Sequence, residues 1–199
     1  MKPFSALFAA AFAAFSLSAA HATTVIAPSF DELVGNAEAI FQGTVTDVQS
    51  QWVGEGGQRH IVSYVTFEVE ESLKGTPGAR YTMRMLGGTV GDETMEISDA
   101  PKFKVGDCDI LFVENNGTQF IPLVGIMYGR FQVQRTQESD AVLTNEGEAV
   151  ADVARLGLDE HGHRTMTDHS TPKAADDTPA LTSAAFKAAI QAKLNELAR

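Results

Sequence analysis

A single cysteine, Cys108, stands among 199 residues, so no intramolecular disulfide framework is available and the fold rests on its hydrophobic core. Basic residues are also scarce, with 15 Lys and Arg against 26 Asp and Glu and a net charge of −11. A surface of that sign repels phosphate backbones and anionic lipid, which excludes nucleic acid and membrane surfaces as natural partners. No apolar run reaches the roughly 20 residues that a membrane-spanning helix needs. The chain also lacks Gly-x-Ser-x-Gly, His-Glu-x-x-His and Cys-x-x-Cys, and Gly87 to Gly91 is followed by neither a Walker lysine nor a Rossmann spacing. No signature of a cofactor is present, and the expectation is a protein that is not an enzyme.

What is present begins with an export signal over residues 1–22. Lys2 supplies the positive charge, Phe4 to Leu17 the short apolar run, and Ala20, His21 and Ala22 an A-x-A cleavage site. The mature chain is expected to start at Thr23 and to be periplasmic or secreted.

Ser29, Phe30, Asp31 and Glu32 have the form of a capping box, which predicts a short helix from about Phe30 to Asn36. Strands are expected next: Ala39 to Trp52, with a bulge or bend at Gly43; His60 to Leu73, whose apolar and polar residues alternate; and Arg80 to Leu86. A small hairpin fits within Val90 to Ile97. Further strands are expected over Ile110 to Val113, Phe120 to Leu123, Tyr128 to Val133 and Ala141 to Thr144. Many short antiparallel strands with Gly-rich turns predict a mainly β fold: a small OB-type barrel, closed or partly open, over residues 23–150. Residues 151–180 read as a polar linker. Thr182 then caps a C-terminal helix, within 181–198, whose Phe186, Ile190, Leu194 and Leu197 form one stripe expected to pack back on the barrel.

One stretch has a family grammar. Asn36 to Val45 carries an Ala-Ile-Phe-Gln-Gly-Thr-Val phrase. Val65 to Gly75 follows with Phe-Glu-Val and a closing Leu-Lys-Gly, and Phe103 to Val113 with a Gly-Asp turn and Ile-Leu-Phe-Val. This resembles the netrin-like module, the OB-type barrel shared by tissue inhibitors of metalloproteinases, and a broad set of exported bacterial proteins with the same phrases. The resemblance covers roughly residues 30–115. It implies an exported protein-binding module acting on an extracellular metalloprotease or another exported protein. Its contact surface would be Thr23, Thr24 and Val25 of the mature N-terminus, together with Trp52 in the 52–58 loop and Thr89 in the 87–100 loop. The chain departs from the inhibitors in lacking their N-terminal Cys-x-Cys, although zinc chelation by a terminal amine and carbonyl needs only backbone atoms.

An alternative reading is a metal-binding envelope protein that uses His161, His163 and His169, with Asp159, Glu160 and Asp168 nearby. Imidazole and carboxylate together suit zinc or copper, but this spacing matches no metal motif and the setting is that of a solvated loop. A third reading is a structural envelope protein without a discrete site. His60 and the Glu68, Glu70, Glu71 group read as solvated surface, and Cys108 as a small side chain at the edge of the core.

Overall fold

The computed structural model describes residues 26–137, 139–158, 162–164 and 179–199. Helix α1 is Phe30–Asn36, and its capping box is complete. The Ser29 amide donates to Glu32 Oε2 at 2.8 Å, and the Glu32 amide donates to Ser29 Oγ at 3.3 Å.

The strands are β1 Ala39–Val53, β2 His60–Lys74, β3 Arg80–Leu86, β4 Gly88–Val90, β5 Glu93–Met95, β6 Cys108–Val113, β7 Arg130–Arg135 and β8 Asp140–Leu143. Six of them form one antiparallel sheet in the order β3-β2-β1-β6-β7-β8, while β4 and β5 pair as a separate hairpin. The long β1–β2 ribbon shifts register at Ile40/Phe41, Gln42/Gly43 and Val45/Asp47. Such irregularities bend and twist a strand. Gly43 sits at one of them for lack of room, because a Cβ there would come within 2.8 Å of the Glu68 carbonyl oxygen.

The fold is mainly β with two helices, and the sheet is open: no ladder joins β3 to β8. The closed form of the expected barrel is therefore not adopted, and the strands make an open sheet. Phe120 to Leu123, expected as a strand, instead crosses to the free edge of β3. Pro122 has no N–H to give a ladder, and the Leu123 amide turns back to the Ile121 carbonyl at 2.9 Å. Only Leu123 makes a bridge, to Val113. The Leu86 amide donates to the Phe120 carbonyl at 2.7 Å. Asn116 accepts from the Arg84 amide at 3.0 Å and donates to the Thr82 carbonyl at 2.9 Å. The other edge is covered as well: the Val142 amide donates to the Leu181 carbonyl, and the Val142 carbonyl accepts from the Val150 amide. The first part of the expected Tyr128 to Val133 strand also differs, since Ile126–Gly129 is a 3-10 turn and β7 starts only at Arg130.

Both faces of the sheet are buried. On one, Ile40, Ile110, Phe112 and Phe131 pack against Phe30 and Leu33 of α1 and against helix α2, Ser183–Leu197. On the other, Phe41, Val45, Phe67, Met83 and Leu111 form a second core under the loops. Double burial explains why Ile110 to Val113 reads as an unbroken apolar run rather than an alternation.

Thr182 caps α2 as expected, accepting from the Ala185 amide at 3.2 Å. Of the expected stripe, Phe186 and Ile190 are fully buried, Leu194 packs at the edge of the core, and Leu197 lies past the contact and is 56% exposed. Lys193 pairs with Asp31 of α1 at 2.9 Å and Lys187 with Glu71 of β2 at 2.6 Å. The helix therefore belongs to the same core as the sheet. No described helix is long and apolar enough to cross a membrane.

One contact sets an acid-sensitive point. Arg164 donates to Glu32 at 2.5 Å, and with the Ser29 hydrogen bonds it holds the Glu32 carboxyl down at about 2 from an ordinary 4.5. A depressed carboxylate contributes stability that is present above pH 4.5 and is lost as pH falls toward 2. In a carboxyl NMR titration Glu32 is expected to titrate near 2, and to move upward in Arg164→Ala; an unchanged midpoint in that variant would refute the assignment.

Candidate functional site

The sheet face that carries the second core does not close at its outer end. There the β4–β5 hairpin and the segment 96–103 arch over β1, β2 and β3 and leave a half-open pocket of about 360 Å³. Its floor is Val48, Val65 and Met85, and Phe103 closes one wall. Two serines stand in this apolar floor, one from each long strand. Ser50 and Ser63 are cross-strand partners, with hydroxyls 2.8 Å apart, and Ser63 Oγ donates to the Gly87 carbonyl at 2.7 Å. The adjacent Gly88, at φ +133°, brings the hairpin backbone so close that a Cβ would overlap both hydroxyls. No side chain larger than hydrogen fits there, and few adopt that φ. On the hairpin side, the Thr89 and Thr94 hydroxyls pair across β4 and β5 at 2.9 Å. Glu96 and Lys102 form an exposed ion pair at the rim, 2.9 Å apart.

The covering segment is held down by one buried cation. Arg130 of β7 donates from Nε to Asp109 Oδ1 at 2.9 Å and from its terminal nitrogens to Asp107 Oδ2 at 3.0 Å and the Lys102 carbonyl at 2.9 Å. Its guanidinium carbon also lies 4.3 Å from the centre of the Phe103 ring, a cation–π contact. Asp109 is completely buried. Burial pushes its carboxyl up to about 6, against the pull of Arg130 in the other direction. Arg130 therefore ties the sheet to the pocket wall through a backbone carbonyl, a ring and two carboxylates.

On the opposite face, Glu70 accepts from Thr44 at 2.6 Å, Gln42 at 2.9 Å and Arg135 at 2.5 Å. Burial raises its carboxyl, but these donors outweigh it and the net shift is downward. Glu70 is exposed, as expected and as Glu68 is, but its carboxylate is held by three donors rather than left to water alone. Cys108 lies beside this group, with its thiol pushed up by burial and by the Glu70 charge. A thiol held protonated is a poor nucleophile.

The expected site residues are dispersed. Thr89 lines the pocket. Trp52 lies on the same face of β1 as Ser50, one position further out, with the Arg59 guanidinium 4.1 Å over its ring. Thr23, Thr24 and Val25 lie outside the described residues. The chain that follows them packs at the other end of β1: Ala27 is buried, and Pro28 lies against Gly125 and Gly157. His161 and His169 are likewise outside the described residues, and His163 is exposed. Among the described residues no group of three or more His, Cys, Asp and Glu is placed to hold a metal.

Ser50, Ser63, Gly88, Arg130 and Asp109 were not singled out from the sequence. The signal for the serines is their register: each falls on the inward, apolar parity of its strand, where a polar residue calls for a reason. No protein-family model matches the chain, and neither a curated protein nor a solved structure does.

Proposed function

We propose that this protein is an exported, non-enzymatic protein-binding module, and that it receives a side chain of its partner in the pocket under the β4–β5 hairpin. The observation that carries this reading is the pocket itself: a preformed concavity at the open end of a rigid sheet, apolar with a few convergent hydroxyls. Its volume lies at the lower end of the range of about 300–1,000 Å³ usual for binding pockets. Its one acidic lining residue, Glu96, is engaged by Lys102, so the lining offers contacts rather than an acid–base pair. Export is supported by the Lys2, apolar run and A-x-A order of the N-terminus. The mainly β sheet agrees in class with the netrin-like resemblance, although fold alone does not grant function.

The test is capture from the native exported fraction with the full chain as bait, read by mass spectrometry. The second bait is Ala100→Phe, in which a ring grows into the pocket from the covering segment. A partner bound by the first and lost, by about tenfold or more, with the second supports the proposal. Equal capture by both would refute it. Loss only on removal of Thr23 to Val25 would transfer the contact to the N-terminus and favour a metalloprotease.

A further inference from the structure

The hydrogen bonds on the pocket floor have a direction. The Gly87 carbonyl can only accept, so the single proton of Ser63 is committed to it. In the Ser50–Ser63 pair the donor must then be Ser50, whose proton points to Ser63 Oγ. Both serine protons are thereby spent inside the protein, and Ser50, which lines the pocket beside Gly88, keeps acceptor capacity only. The threonine pair differs: its two hydroxyls share one mutual bond, which leaves one proton free on the exposed hairpin wall. The pocket thus presents an acceptor among half-buried apolar carbons and a donor near water.

The apolar walls carry a second preference. Met85 supplies a polarisable thioether, and Phe103 an aromatic ring fixed by Arg130 and by an edge-on contact with Phe67 at 5.5 Å. Thioether and ring both favour an aromatic occupant over an aliphatic one.

We infer that the pocket takes an aromatic ring bearing one N–H or O–H donor, an indole or phenol, with that donor directed at Ser50 Oγ. In a protein partner this is a Trp or Tyr side chain, and the inference in that form rests on the binding-module reading above. A group that only accepts, such as a carboxylate, would meet an acceptor at the floor and be rejected. An aliphatic side chain would leave Ser50 Oγ without the donor it lacks.

The probes are indole and N-methylindole, which differ in having or lacking the N–H. Each is titrated into the full chain and into Ser50→Ala, and followed by amide NMR. Indole is expected to shift amides in 48–50, 63–65, 87–97 and 103. N-methylindole is expected to bind the unaltered chain roughly fivefold to tenfold more weakly, the value of one hydrogen bond. In Ser50→Ala the two probes should bind alike. Equal affinity of both probes for the unaltered chain overturns the inference, as does indole binding that leaves those amides unmoved or no indole binding at all. Because the probe comparison uses the unaltered protein, it does not depend on the variant folding. Partner capture that Ala100→Phe abolishes would survive any of these failures, so the two readings fail separately.

Discussion

Replacing Arg130 by alanine is expected to cost about 3–5 kcal/mol of folding stability, read as a lower midpoint in urea. The cost comes from what is left behind. Asp109 is fully buried, and its close cation is Arg130. Without that cation the carboxylate must remain charged in an apolar setting or take up a proton. The sign of the pH dependence follows from the raised carboxyl. Asp109 ordinarily titrates at 3.8 and in the folded chain at about 6, so the folded state holds the extra proton through that window. Its contribution is favourable below 3.8 and is lost as pH rises through about 6. Arg130→Ala pushes the carboxyl higher still, so the deficit should be larger at pH 8 than at pH 5. A deficit independent of pH would show that Asp109 finds another partner. The double variant Asp109→Leu with Arg130→Met is expected to recover much of the loss, as an apolar replacement of a buried pair often does. The single variant should also loosen the pocket, because the Lys102 carbonyl and the Phe103 ring lose their anchor.

Phe186→Ala is expected to be comparably damaging, at about 3–5 kcal/mol. The ring is fully buried and meets Phe131 at 4.8 Å, Phe30 at 6.0 Å and Phe112 at 6.3 Å. It joins α2 to α1 and to two central strands at once, so truncation leaves a cavity walled by three aromatic rings. A 15-residue helix has little stability of its own in water. The amides of α2 should therefore lose hydrogen-exchange protection more than those of β1 and β2. Phe186→Leu, which keeps much of the volume, should cost clearly less. Uniform loss across the chain in Phe186→Ala would mean that α2 and the sheet unfold as a single unit.

Local signals made much of this fold legible. Ser29 with Glu32, and Thr182 before an apolar stripe, mark helix starts because an N-cap is written within four residues. The β2 strand shows itself by alternation, since for most of its length one side meets the core and the other meets water. The chain became opaque where a partner is distant in sequence. Arg130 and Asp109 are 21 residues apart, and charged residues in strands ordinarily read as surface. Phe120 to Leu123 is apolar enough to pass for a strand, yet Pro122 removes the donor that a ladder would use. Ser50 and Ser63 were hidden for a related reason: they mean something only once β1 and β2 are paired in register and Gly88 is laid across them. The pocket is a property of that pairing, and no single segment contains it.

The covered edges of the six-stranded sheet bear on how this protein meets others. On β3, the Asn116 amide and the Phe120 carbonyl already occupy the positions that a neighbouring strand would use at Thr82, Arg84 and Leu86. On β8, Leu181 and Val150 do the same for Val142. These contacts interrupt both edges, which disfavours addition of a further strand at either side. If the proposed binding role holds, side chains rather than an added strand would carry the specificity of the complex.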